Sequence, residues 1–239
     1  MKKIPVLITS VAQPNAPFVE LSDPAKRIDS TIESLKKWAS ISPGLDIVIC
    51  DGSGYDFQKL ISATPLLKPL NIEVLHFYND AEMVTTRGKG YGEGEIITYA
   101  LNHSDLLSKS DTFSKCTAKY WVNNFQECAA SHQKNISIEK YYDSRYSLSY
   151  QACDTRFYVV DKDFYLNKLL DSHKATNDFQ SYFLEHAFAK DIILSKITGT
   201  TFKIKPLVDG ISGSTGNFST SKPESIRKKI LRQVRRRFS

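Results

Sequence analysis

A chain of 239 residues with 41% hydrophobic and 24% charged side chains suits one large globular domain, or at most two small ones, with a sizeable core. No apolar run approaches the roughly 20 residues that span a bilayer, which excludes a transmembrane helix, and the four scattered cysteines show no CxxC pair or metal-ligand spacing. The net charge of +6 is misleading, because residues 222–239 hold eight Lys and Arg against one Glu, net +7, and leave the body at −1.

The apolar run 3–10 reads as a first buried strand and not as a signal peptide, since no small-residue cleavage site follows it. Asp23-Pro24 places an N-cap residue before a proline suited to the first helical turn, and Ile28, Ile32, Leu35 and Trp38 recur at helical spacing over 25–40. Pro43-Gly44 ends that helix. A second buried strand spans 45–50, a short helix 57–63 and a third strand 72–77. The segment 85–95, TTRGKGYGEGE, carries four of the eleven glycines at alternate positions from Gly88 to Gly94. A glycine-rich turn bearing Arg87 and Lys89 at a helix N-terminus is a physically sensible phosphate site; a flexible turn that caps the helix is the plainer alternative. It matches neither the P-loop nor the dinucleotide fingerprint.

A helix follows over 92–103, then a polar stretch, then a fourth strand over 118–122 ending at Asn123-Asn124. Residues 126–151, with Tyr141, Tyr142, Tyr146 and Tyr150, read as irregular. Further elements are a strand over 155–160, helices over 162–170 and 178–195, a last strand over 201–207 and a small-residue loop over 209–216. The early strand–helix alternation argues for parallel pairing and an α/β fold: one mostly parallel sheet flanked by helices. Ligands bind beyond the carboxyl ends of such strands, so Ser10, Asp51 and the glycine-rich segment converge on one crevice. The cysteines then serve as reduced cytosolic core filler.

The order of ITS, VICDGSG, RGKGYGEGEIITYAL, TAKYWVNN, DTRFYVV, FLEHAF and DGISGSTG resembles GT-A-type nucleotide-sugar glycosyltransferases. More narrowly, it resembles the small bacterial enzymes of lipopolysaccharide O-antigen and capsule synthesis. The resemblance implies a single GT-A-like (Rossmann-like) domain over 1–221. It also implies a nucleotide-sugar donor, a saccharide or lipid-linked acceptor, and transfer with inversion. Its donor-binding residues would be Ser10, Asp51 as the nucleoside reader, Arg87, Lys89, Glu93, Asn123, Asn124, Asp154 and Arg156. The general base would be Glu185, with His186 as the alternative. In the resembling fold the fourth strand ends in an Asp-x-Asp that holds Mg²⁺ or Mn²⁺; here Val122-Asn123-Asn124 stands there, and neutral amides are poor ligands for those ions. Asp161-Lys162-Asp163 lies one strand too late and reads as a helix cap. No metal cofactor is therefore expected to be required, and Arg87, Lys89 and Arg156 are the cations left to neutralise the leaving phosphate. A non-catalytic α/β nucleotide- or sugar-binding protein is the competing class.

Ile226, Ile230, Leu231, Val234 and Phe238 recur at helical spacing in the cationic tail 222–239. With Arg227, Lys228, Lys229, Arg232, Arg235 and Arg236 they form a basic amphipathic helix suited to an anionic membrane surface. Nucleic acid is not the expected partner, because no stacking aromatics interleave the cations. The expected location is cytoplasmic, peripheral on the inner face of the plasma membrane.

Overall fold

The computed structural model describes residues 3–144, 147–213 and 215–238; Tyr146 and Ser214 of the reading above lie outside the described residues. In chain order the elements are β1 (Val6–Ser10), α1 (Pro24–Ile41), β2 (Asp46–Asp51), α2 (Gln58–Ser62), β3 (Asn71–His76), α3 (Ala81–Arg87), α4 (Lys89–His103), α5 (Asp105–Ser108), β4 (Thr112–Thr117) and β5 (Tyr120–Val122). Then come α6 (Phe125–Ser131), β6 (Ile136–Tyr142), β7 (Tyr150–Asp161), α7 (Lys162–Phe164) running into a π-turn, α8 (Leu184–Leu194), β8 (Val208–Ile211), β9 (Phe218–Ser219) and α9 (Ile226–Phe238).

The main sheet runs β3-β2-β1-β4-β7-β6, and a small antiparallel sheet runs β5-β8-β9. Strands β3, β2, β1 and β4 are parallel, while β7 and β6 close one side antiparallel. At the centre, β1 and β2 are apolar on both strand faces, as strands of a parallel sheet covered on both sides are. Val6, Ile8, Ile47 and Ile49 face a layer that holds Leu35 and Trp38 of α1 with Phe125 and Cys128 of α6. Leu7, Val48 and Cys50 face Ile96 and Ile97 of α4, with Phe188 and Ile192 of α8 in the same layer. Asp23 caps α1 as expected, its Oδ1 accepting the Ala25 N–H at 2.9 Å. All four cysteines are buried and unpaired, and burial pushes each thiol up to about 12.

Four element assignments are corrected. The fourth sheet strand is β4, drawn from the stretch that reads as polar, because Ser114 and Lys115 are fully buried there. The predicted strand 118–122 is instead β5 of the small sheet, reached through Lys119 at φ +74°. The predicted last strand lies too early: residues 202–207 are irregular, and β8 begins at Val208. Residues 126–151 also hold most of α6 and all of β6.

The glycine-rich segment is no loop. Only Gly88, at φ +104°, breaks the chain between α3 and α4, and Gly90, Gly92 and Gly94 lie inside α4. They are there for close approach: a Cβ on Gly94 would sit 2.1 Å from His173 Cγ, and one on Gly92 would sit 2.6 Å from Asn79 Nδ2. Gly94→Ala should therefore lower stability by about 1–3 kcal/mol through overpacking, against the roughly 1 kcal/mol that helix propensity alone would add. A melting temperature at or above that of the unsubstituted chain would refute this account of the glycines.

Candidate active site

A cavity of about 240 Å³ opens at the carboxyl edge of β1 and β4. Thr9 and Ser10 come from the end of β1, Thr117 and Lys119 from the end of β4, and Thr155 and Arg156 from β7. Because β7 is antiparallel to β4, its early residues reach the same edge. Arg27 from α1, Lys89 and Glu93 from α4, Asp178, and Glu185 from α8 complete the polar wall, with Ser212 and Gly213 lying beyond β8.

The floor is a buried charge network. Lys115 has no exposed side-chain surface and pairs with Glu93; it also donates to Thr117 Oγ1 at 2.7 Å and to the Thr155 carbonyl at 2.8 Å. One ammonium thus joins the ends of β4 and β7 to α4. On the other side of Thr155, its Oγ1 donates to Glu185 Oε1 at 3.1 Å. Burial raises the Glu185 carboxyl above the usual carboxylate range, and the nearby Glu93 charge adds to the shift. A carboxylate in a cavity wall with a raised pKa is suited to taking a proton from a hydroxyl.

Arg156 is held in a fork by Asp154, with Nε to Oδ1 at 2.9 Å and Nη2 to Oδ2 at 2.6 Å. That hydrogen-bonded pairing holds the guanidinium pKa above its ordinary value. Both residues sit on one face of β7, as their spacing of two requires; Arg156 lines the cavity and Asp154 positions it.

Other expected site residues are placed elsewhere. Asp51 is fully buried, and its oxygens accept from Ala12 N at 2.8 Å, Ser53 N at 2.8 Å, Ser53 Oγ at 2.6 Å and Tyr55 N at 3.2 Å. It knits the loops after β1 and β2 together and is not part of the cavity lining. Asn123 and Asn124 follow β5, not the sheet strand. Asn123 Nδ2 donates to Asp209 Oδ2 at 2.8 Å, and Asn124 donates to the Lys205 carbonyl at 3.0 Å while accepting from Leu207 N at 2.8 Å. His186 Nδ1 accepts the Phe183 N–H at 3.1 Å and so caps α8. Arg87 ends α3 outside the cavity wall. The N-terminus of α4, expected to receive phosphate, receives a carboxylate of the chain itself: Asp178 Oδ2 accepts the Lys89 N–H at 3.0 Å. The other Asp178 oxygen is buried with no hydrogen-bond partner among the described residues, an acceptor that could meet a ligand hydroxyl.

The divalent metal that the resemblance brings to mind does not fit these residues. The sheet strand ends in Thr117-Ala118-Lys119, which offers an ammonium where carboxylates would be needed. Among the described residues no three His, Cys, Asp or Glu side chains form a group able to hold a metal ion. Asp161 lies opposite Thr112, at the start of β4 and the far edge of the sheet, where it accepts from Thr112 Oγ1 at 2.9 Å and Asn135 N at 2.6 Å.

Sequence reasoning missed Arg27, Lys115, Lys119 and Asp178. The buried polar stripe of α1 (Arg27, Thr31, Ser34) was a signal for the first, since an amphipathic helix against a plain core buries apolar residues there. The lysines carried none, because β4 itself was not legible.

No protein-family model and no curated protein sequence matches the chain. Solved structures do. The mannosyltransferase Ktr4p from S. cerevisiae aligns over 100% of this chain and 82% of its own, at 12% identity and TM-score 0.54. The inositol-1-phosphate CTP transferase from T. maritima aligns over 98% of this chain and 97% of its own, at 13% identity and TM-score 0.51. The bifunctional glycosyltransferase WbbM aligns over 84% of this chain at 11% identity and TM-score 0.48, and the chain spans 38% of its length. The first two likenesses show the fold: a GT-A-like, mostly parallel α/β sheet flanked by helices.

Proposed function

We propose that the chain is a nucleotide-sugar-dependent glycosyltransferase that acts on a saccharide or lipid-linked acceptor of a cell-surface polysaccharide. The observation that carries this reading is the cavity itself: Arg27, Lys89, Lys119 and Arg156 meet a half-buried carboxylate, Glu185, at the carboxyl edge of β1 and β4. The fold likeness to a mannosyltransferase, also solved in complex with GDP, and to a CTP transferase supports a nucleotide as the ligand of that edge.

In this reaction the acceptor hydroxyl gives its proton to Glu185 as its oxygen bonds the anomeric carbon. The bond from that carbon to the phosphate oxygen breaks, and the nucleotide leaves with the electron pair. A single displacement inverts the anomeric centre. The cations neutralise the departing phosphate in a site partly closed to water, where their charge is least screened. Glu185 must be ionised, so the rate should fall as pH drops through its raised pKa.

A thermal-shift screen with UDP, GDP, dTDP and CMP, each with and without Mn²⁺, is expected to show stabilisation by one nucleotide class. Turnover of the matching nucleotide-sugars should follow. Binding without any hydrolysis or transfer would leave the non-catalytic reading standing, and no binding by any nucleotide would remove the glycosyltransferase reading and the nucleotide-binding form of its alternative.

The tail supports a membrane-surface role in a form that the sequence does not show. No helix among the described residues is long and apolar enough to cross a membrane. Helix α9 instead docks on the body through cations. Arg232, expected on the membrane face, is buried and clamped between Glu139 and Glu224. Arg235 lies over the Tyr142 ring with its guanidinium carbon 3.7 Å from the centroid, and Arg236 donates to Gln133 Oε1 at 2.8 Å. Ile226, Ile230, Val234 and Phe238 are left pointing outward in a line, with Arg227, Lys228 and Lys229 exposed around it. We place an anionic lipid surface against that line. Ile230→Glu is expected to abolish pelleting with vesicles containing phosphatidylserine while leaving thermal stability and soluble-acceptor turnover in place; unchanged pelleting would overturn the assignment.

A further inference from the structure

Lys119 stands out among the buried charges. It is 4% exposed, yet its ammonium makes no ion pair or hydrogen bond among the described residues. Lys115 and Arg156 are cations of the site that also hold the fold together: Lys115 joins three elements, and Arg156 is gripped by Asp154. Arg27 donates to the Val11 carbonyl at 2.6 Å and to the Leu21 carbonyl at 2.8 Å, which holds its head in place without cancelling its charge.

The backbone of Lys119 is fixed from three directions. Its φ of +74° turns the chain from β4 into β5, a conformation that an L-residue keeps only when its surroundings enforce it. The Lys119 carbonyl accepts from Ile211 N at 3.1 Å. The next carbonyl, of Tyr120, accepts from Ser34 Oγ at 2.6 Å and from Trp38 Nε1 at 3.2 Å. Gly210 passes so close that a Cβ there would lie 2.1 Å from the Lys119 oxygen. A rigid mount of this kind sends the side chain into the cavity wall beside Arg27. A Cβ built on Gly213 would lie 3.7 Å from Lys119 Nζ and 3.5 Å from Arg27 Nη1, so two cations face one gap. The Glu93 and Asp51 charges act on Lys119 without forming an ion pair with it among the described residues; a largely buried cation without a paired counter-ion is costly, and a bound anion lowers that cost. Burial, with Arg27 adding to it and Glu93 and Asp51 opposing it, lowers the Lys119 ammonium to about 7, so a phosphate arriving there stabilises the charged form.

We propose that Lys119 binds the phosphate of the leaving nucleotide, its ammonium and the Arg27 charge standing at the end of β4 where the resembling fold holds a metal ion. This rests on the glycosyltransferase reading and identifies which chain group performs the neutralisation. Lys119 is therefore a phosphate-binding residue, and Ser34, Trp38 and Gly210 position it.

The test uses the full chain and the nucleotide that stabilises it best among UDP, GDP, dTDP and CMP, paired with the matching nucleoside. With a chelator present, the unsubstituted protein should bind the nucleotide as tightly as with Mn²⁺. Lys119→Met should weaken nucleotide binding roughly 10- to 100-fold, the weight of a charge-assisted hydrogen bond, and leave nucleoside binding unchanged. Lys119→Arg should recover part of the loss. Lys119→Met should also melt at or above the unsubstituted protein, because it replaces an unpaired buried ammonium with an apolar chain of similar length. Equal nucleotide affinity in Lys119→Met, binding that requires Mn²⁺, or a melting temperature that falls as for a broken ion pair would each overturn the assignment. If no nucleotide binds the unsubstituted protein with or without Mn²⁺, the glycosyltransferase reading itself fails.

Discussion

Replacing Glu185 by glutamine should lower the rate of sugar transfer by about 10²- to 10⁴-fold, the range over which a positioned general base acts, while donor affinity stays unchanged. The substitution keeps the shape and the hydrogen bond from Thr155 Oγ1, 3.1 Å away in the structure, and removes only the capacity to take a proton. The accompanying pH profile separates a base from a scaffold. In the unsubstituted protein the acidic limb of transfer is expected to report the Glu185 carboxyl, raised by burial and by Glu93, and in Glu185→Gln that limb should vanish. His186→Ala, by contrast, should reduce stability by about 1 kcal/mol through lost capping of α8 and spare turnover, because its ring nitrogen is committed to Phe183 N. Comparable turnover in Glu185→Gln and the unsubstituted chain would remove Glu185 from the mechanism.

Lys115→Met is expected to be the most destabilising single change in the site, by about 3 kcal/mol. Breaking a buried ion pair costs roughly 3–5 kcal/mol because the remaining charge is stranded; the lower end applies because the Glu93 side chain keeps 21% of its exposure. The Thr155 carbonyl and Thr117 Oγ1 lose a partner in the same step. The double variant Lys115→Met, Glu93→Gln should recover most of the loss, since it removes the stranded carboxylate. Urea unfolding of the single and double variants measures this directly. Additive losses in the double variant would mean that the two side chains do not act as a pair.

The early chain is legible because its burial is simple. Strands β1, β2 and β3 and helix α1 follow from apolar runs and a capped periodic segment, and a parallel sheet leaves few ways to arrange them. The tail is half legible: its amphipathic periodicity is plain, but Arg232 turns inward because Glu139 on β6 and Glu224 receive it. No local rule brings those three residues together. Strand β4 was hidden for the same reason. Lys115 looks like a surface residue until α4 supplies Glu93 and β7 supplies a carbonyl.

What the sequence determined by itself, then, is the fold class, the edge of the sheet at which the cavity opens and the candidacy of Ser10, Lys89, Glu93, Arg156 and Glu185, all of which line that cavity. Tertiary structure alone decided the rest. It made the glycine-rich segment a packing face, because helices approach within a Cβ radius only over glycine. It assigned the α4 N-terminus to Asp178 and enclosed Asp51 among backbone amides. It also set Lys119 beside Arg27 across 92 residues of chain. Charges interact through space, and their partners in this chain lie on other elements, so burial and pairing had to be seen before a cation could be told from a surface lysine.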